Sequence, residues 1–174
     1  MNYRRVFEDG YSYFLTMVTY RRKALLVEYI DELREAFRHS KLKYHYHIEA
    51  IVILPDHLHM IITPQNVKEY PLIVKQIKRS FVYNLPQHIK DQAKMDLSPS
   101  QYKRKHAGIW QSRYYEHTIR NEKDMNEKIV YMQNNPIKHG LCKTYTEWEY
   151  SSFHSRIQRM RPTRINENDK SRRS

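Results

Sequence analysis

Between Leu54 and Thr63 the chain runs Leu54-Pro55-Asp56-His57-Leu58-His59-Met60-Ile61-Ile62-Thr63, a turn signal followed by strand-forming residues with two histidines one position apart. In a β-strand successive side chains point to opposite faces. His57, His59, Ile61 and Thr63 therefore share one face, and Leu58, Met60 and Ile62 the other. A strand with core behind it and two imidazoles in front belongs in a sheet that keeps one face for polar work. Such a pair can hold a divalent metal with little reorganisation. The chain has 10 histidines, and a surface or hydrogen-bonded pair also fits this stretch taken alone.

The rest of the pattern supplies the sheet. After the turn signal Asp9-Gly10, residues 11–20 are aromatic and β-branched and predict a strand. Leu26, Tyr29, Ile30, Leu33 and Phe37 recur at helical spacing and predict a helix over 27–39. Residues 44–54 predict a second strand, with Ile48, Ala50 and Val52 on one face. Pro55-Asp56 turns that strand back into the histidine strand as a hairpin. A second helix over 70–84 buries Ile73, Ile77 and Phe81 and exposes Lys75, Lys78 and Arg79. Residues 86–108 are lysine-rich and weakly periodic, and read as a long loop or insertion. Strand-like content returns over 109–119. A third helix opens at Asn121, a good N-cap with Asp124 at the third helical position, and is expected to stop at Pro136.

The order β-α-β-β-α-β-α predicts an α+β fold of the ferredoxin-like (RRM-like) sandwich type. Its antiparallel sheet would carry the first two helices on one face and leave the other free for chemistry. Residues 1–154 form one domain. Residues 155–174 hold seven Lys or Arg against two acids and read as a disordered basic tail.

Charge narrows the partner. Thirty-one Lys and Arg face 19 Asp and Glu, a net charge of +12, which concentrates polyanions such as nucleic acid near the surface. Fifteen tyrosines add aromatic faces on which unpaired bases can stack, although core or half-buried strand positions also account for them. The apolar run 48–54 is too short to span a bilayer and is broken by Glu49. No apolar segment near Met1 resembles a signal peptide. Cys142 is the one cysteine, without a disulfide partner. A cytoplasmic protein that does not engage membranes is expected.

On the third helix Met125, Ile129 and Met132 form the core stripe, while Asp124, Lys128, Tyr131 and Asn135 cluster on its flank. Tyr131 and Asn135, one turn apart, can point at the same spot. A tyrosine hydroxyl, with a pKa of roughly 10, is a poor nucleophile at neutral pH. Beside a divalent cation and a phosphate it becomes a plausible one, and an amide oxygen such as that of Asn135 could complete the metal shell. On periodicity alone, Tyr131 reads more readily as a packing residue than as a nucleophile. Tyr114 and Tyr115, close to Glu116 and His117, are rival nucleophiles, and His117 is a possible further ligand, an orienting group or a structural hydrogen bonder.

Several stretches together carry a resemblance. They are Arg4-Arg5 ahead of the first strand, Leu54-Pro55-Asp56-His57-Leu58-His59, and Trp110-Gln111-Ser112-Arg113-Tyr114-Tyr115-Glu116-His117. Further along come Tyr131-Met132-Gln133-Asn134-Asn135-Pro136-Ile137-Lys138-His139-Gly140-Leu141 and Trp148-Glu149-Tyr150-Ser151-Ser152-Phe153. The chain resembles the REP-associated tyrosine transposases, a branch of the single-tyrosine HUH endonucleases. That resemblance implies His57 and His59 as metal ligands and Tyr131 as the nucleophile on single-stranded DNA. It further implies a 5′-phosphotyrosine intermediate and a free 3′-hydroxyl.

Asn135 stands where related insertion-sequence enzymes usually carry glutamine, and is the candidate third ligand. The implied cofactor is Mg²⁺ or Mn²⁺; imidazoles favour Mn²⁺ in affinity, abundance favours Mg²⁺. The implied substrate is a short palindromic DNA hairpin, a repetitive extragenic palindrome. Arg4, Arg5, Arg113, Arg120 and Lys138 are candidate DNA contacts, with Lys78 and Arg79 behind them. A monomer is expected, with a dimer as the alternative. The competing readings are a non-catalytic nucleic-acid-binding module on an RRM-like sheet and a replication initiator or relaxase.

Overall fold

A computed structural model describes residues 10–155. Arg4, Arg5 and the predicted tail beyond Ser155 lie outside the described residues. The elements run β1 (Ser12–Val18), α1 (Ile30–Lys43), β2 (Tyr46–Ile53), β3 (His57–Pro64), α2 (Tyr70–Asn84), α3 (Gln87–Met95), α4 (Pro99–Lys103), β4 (Tyr115–Ile119) and α5 (Glu122–Lys138). The four strands form one antiparallel sheet in the order β2-β3-β1-β4. This is the ferredoxin-like α+β arrangement that the order of elements predicts. Leu54 N–H donates to His57 O at 2.8 Å across the expected Pro55-Asp56 turn.

Alternation along the strands divides the core in two. Tyr13, Leu15, Met17, Leu58, Met60 and Ile62 point to one face and pack beneath α1 and α2 with Leu33, Ile73, Ile77 and Phe81. Phe14, Ile61, Ala50 and Val52 point to the other. That second face is not free, as expected, because it carries α5 and the segment to Phe153. Met132, Ile119, Leu54 and Phe153 close a smaller apolar cluster there. Only the end of the sheet bearing His57 and His59 stays open. No helix among the described residues is long and apolar enough to cross a membrane.

Four further expectations need correction. Ile48 does not share a face with Ala50 and Val52: the β2–β3 register shifts between Ile48 and Ala50. That bulge at Glu49 inserts one residue and turns Ile48 toward the larger core. The segment 86–108 is not a loop, since it contains α3 and α4. Helix α3 is anchored by little more than Ile89 and Ala93, too few apolar positions to show a period. Helix α4 opens with a Ser98–Gln101 capping box and Pro99 in the first turn, signals that sequence reading can recognise.

The strand expected over 109–119 is formed only at 115–119, with Trp110 joined to Thr19 by an isolated bridge. Finally, α5 runs through Pro136 to Lys138. Proline there removes one N–H bond in the last turn, and its buried ring packs without breaking the helix. His139 N–H and Leu141 N–H close that end on Asn135 O and Pro136 O.

Gly108 marks where the chain approaches α3 most closely among the glycines. It sits at φ +72°, and a Cβ there would lie 2.4 Å from Ala93 O and 2.9 Å from Ala93 C. Both are backbone atoms of α3, which cannot swing aside. Gly108→Ala is expected to cost about 3 kcal/mol or more in urea unfolding, from left-handed strain plus the clash. Gly10, at φ +85° with nothing within 4 Å, meets only the strain. Gly10→Ala should therefore cost only about 1–2 kcal/mol, and equal losses at the two glycines would contradict the packing described.

Candidate active site

The open end of the sheet and the flank of α5 enclose a cleft of about 440 Å³. His57, His59, Asn135 and Tyr131 all line it, with Phe14, Thr16, Arg22, Tyr115, Lys128, Lys138 and His139. His57, His59 and Asn135 are only 3–4% exposed, whereas Tyr131 is 47% exposed. The polar pair and the amide are thus walled in, and the phenol faces what enters. The His57 and His59 rings meet edge to face with centroids 5.1 Å apart, and Tyr131 stands 5.1 Å from His59. Phe14 lies flat against His59, centroids 5.5 Å apart, and meets the Tyr131 ring edge-on.

The hydrogen bonds set the state of both imidazoles. Asp56 Oδ1 lies 2.6 Å from His57 Nδ1. A carboxylate only accepts, so His57 Nδ1 carries a proton. His57 Nε2 lies 3.3 Å from Asn135 Oδ1, where it donates to the amide oxygen while it holds a proton and can share a cation with it once that proton is lost. His59 Nδ1 is paired with the Thr16 hydroxyl at 2.8 Å, and its buried Nε2 has no hydrogen-bond partner. Burial, together with the neighbouring His57 and His139, pushes the His59 pKa down to about 3. Asn135 offsets this in part without a hydrogen bond to Nε2. His59 is therefore neutral, as a ligand must be.

Two imidazole Nε2 atoms and an amide oxygen thus line one cleft, and His59 Nε2 there has no hydrogen-bond partner. That donor set fits a divalent cation. Among the described residues no group of three or more His, Cys, Asp or Glu is placed to hold a metal, which leaves the Asn135 amide as the third protein oxygen or nitrogen at hand.

Asp56 is itself held. Arg22 Nη1 donates to Asp56 Oδ2 at 3.0 Å. Burial would raise the Asp56 pKa, but hydrogen bonds from His57 and Arg22 outweigh it and leave the carboxyl below its ordinary value. Arg21 and Arg22 reach this place at φ 53° and 52°, a left-handed pair that only surrounding structure can sustain. Thr19 supplies it, its hydroxyl bonding both Lys23 O (2.8 Å) and Asp56 O (2.9 Å). Asp56→Asn keeps the shape but removes the charge that orients His57. It should weaken Mn²⁺ binding about 10–100-fold by calorimetry; unchanged affinity would remove His57 from the metal shell.

The sequence matches the family described as Transposase IS200 like over residues 8–135. A REP-associated tyrosine transposase of Escherichia coli K12 is 32% identical over 159 residues, 90% of this chain and 85% of its own length. A Haemophilus influenzae protein named for the same group is 37% identical over 90% of this chain and 88% of its own. The chain belongs to the REP-associated tyrosine transposases, within the IS200-like family. Its fold agrees. A solved REP-associated tyrosine transposase bound to a REP hairpin superposes with a TM-score of 0.72 at 30% identity, covering 93% of this chain and 88% of that one.

The remaining candidate residues of this transposase fall in different places. His117 does not line the cleft; its Nε2 meets both Asp124 oxygens at 2.8 Å and ties β4 to the first turn of α5. Tyr115, on the same face, borders the cleft, whereas Tyr114 packs against the core beneath the helices. Lys138 lines the cleft. Arg113 and Arg120 are exposed outside it.

Lys78 and Arg79 lie on a second, shallower cleft with His106 and Trp110. Lys78 Nζ donates to Gln111 O at 2.6 Å, and burial lowers its pKa to about 8, so it braces a loop while remaining largely charged at neutral pH. Sequence reading missed Arg22, His139 and Phe14, and put Lys128 on the flank of the helix without a role. His139 follows Asn135 by four residues, a spacing that was available; Arg22 depends on a left-handed turn that no local pattern announces.

Proposed function

We propose that this transposase is a metal-dependent nicking and joining enzyme for single-stranded DNA at palindromic hairpins, working through a 5′-phosphotyrosine on Tyr131. One observation carries this most: the accessible Tyr131 ring stands beside His59 on the helix that brings Asn135 to His57. The hairpin bound by the solved relative supplies the substrate class. A bound Mg²⁺ or Mn²⁺, held by His57, His59 and Asn135, would polarise the phosphoryl oxygen and offset its charge.

The chain's own groups do the rest. The Tyr131 Oη–P bond forms as the P–O3′ bond breaks. The phenol proton passes to solvent, and the departing 3′ oxygen takes one from solvent. Rejoining is the reverse, a 3′-hydroxyl attacking the phosphotyrosine. The cleft admits a single strand at its mouth, with Lys138 placed for a flanking phosphate and Tyr115 (54% exposed) for a base.

A denaturing gel on end-labelled hairpin oligonucleotides, with Mn²⁺, Mg²⁺ or EDTA, tests the proposal. A nick in the unpaired flank that needs the metal is expected. Tight binding with no nick under any metal would leave the non-catalytic binding module as the better account.

A further inference from the structure

Three cations line the cleft, and no carboxylate does. Arg22 is already engaged by Asp56. Lys128 has no ion pair within 4 Å among the described residues, although its charge helps to hold the Asp124 carboxyl below its ordinary value. Its one acidic neighbour a turn earlier, Asp124, has both oxygens on His117 and one of them also on Arg120 N–H. The Lys128 ammonium instead rests over the Phe14 ring, 5.4 Å from its centroid. Tyr131 meets that same ring edge-on, centroids 5.9 Å apart. Phe14 thus seats the nucleophile and a cation side by side.

Helix geometry separates Lys128 from the third cation. Lys128 precedes Tyr131 by three residues, about 4.5 Å along the axis and on the same flank. Lys138 follows it by seven, about 10.5 Å along the axis. The two lysines thus flank Tyr131 along the axis, Lys128 on the nearer side and Lys138 beyond Asn135.

We propose that Lys128 is a further catalytic residue, its ammonium taking a non-bridging oxygen of the scissile phosphate as the Tyr131 hydroxyl attacks. It rests on the nicking activity proposed above. Lys128 acts by charge, while bonds form and break as already described. A fixed cation at an oxygen where charge builds up is most effective in a cleft that excludes part of the water.

Wild-type protein first maps the cleaved linkage; if it cuts nothing, the functional reading and this inference fall together. Lys128→Met, which keeps the stem on Phe14, and Lys128→Arg are then compared on hairpins whose cleaved linkage is a phosphodiester or a methylphosphonate. Binding is read in EDTA with Tyr131→Phe as background, so no turnover intervenes. The methylphosphonate should weaken binding about fivefold when Lys128 is present and less than about twofold in Lys128→Met, since one hydrogen-bonded contact is lost only once.

With Tyr131 restored and Mn²⁺ present, Lys128→Met should slow nicking about 100-fold, and Lys128→Arg should recover most of it. Lys138→Met should weaken binding of both hairpins alike. Equal methylphosphonate penalties with and without Lys128, or wild-type nicking by Lys128→Met, overturn the inference and leave the Tyr131 chemistry standing.

Discussion

Tyr131→Phe is expected to reduce nicking to background, a loss of about 10⁴-fold or more, while hairpin affinity changes by less than about twofold. The substitution removes a single oxygen from a ring that is 47% exposed and keeps its contacts with Phe14 and His59. Nothing in the apolar cluster beneath α5 depends on that hydroxyl, so stability should stay within about 0.5 kcal/mol. Loss of cleavage with retained binding therefore isolates chemistry from fold. Tyr115 borders the same cleft and is the comparison: Tyr115→Phe should nick at nearly the wild-type rate. Reversed behaviour of the two variants would move the nucleophile to β4.

The second large effect comes from His59→Leu, and it should act in opposite directions on activity and on stability. Nicking should fall about 10³-fold or more, because the buried nitrogen proposed to hold the metal is replaced by a side chain with no donor atom. The metal-free protein, however, should become more stable by about 1 kcal/mol. His59 Nε2 is a buried polar atom without a partner, and an apolar group of similar size removes that desolvation cost.

Wild-type protein should melt higher with added Mn²⁺, by linkage to the folded state, and His59→Leu should not. A pH series without metal gives the same atom a second test. The folded pKa of about 3 lies below the ordinary 6.5, so the unfolded chain binds the extra proton. Wild-type stability should hold above pH 6.5 and fall as pH drops toward 3; in His59→Leu that part of the slope should be gone. A variant less stable than wild type at neutral pH without metal would mean the imidazole is a packing group first.

Much of this was legible because it is written in alternation and turn chemistry. The Pro55-Asp56 hairpin, the facing of His57 and His59, and the pairing of Tyr131 with Asn135 follow from periods of 2 and 3.6. What stayed hidden depends on tertiary context. The Glu49 bulge reverses Ile48 through one inserted residue, which no period reports. Pro136 is tolerated because it falls in the final helical turn, where little bonding is lost. The left-handed Arg21-Arg22 turn carries no glycine to mark it, yet it delivers the guanidinium that holds Asp56. Lys128 was visible on the helix flank, but its seat on Phe14 joins residues 114 positions apart along the chain.

Peptide mapping of the covalent adduct is the most direct measurement. The protein is incubated with Mn²⁺ and a hairpin whose cleavage releases a short 3′-hydroxyl fragment that diffuses away and so cannot rejoin. It is then digested with trypsin and nuclease. Residues 129–138 lie between Lys128 and Lys138 and contain Tyr131 as their only tyrosine, while residues 114–120 contain Tyr114 and Tyr115. The account requires a nucleotide phosphate on the 129–138 peptide, lost in Tyr131→Phe and in EDTA. A modified 114–120 peptide, or a nick that forms with no adduct on any tyrosine, would contradict it.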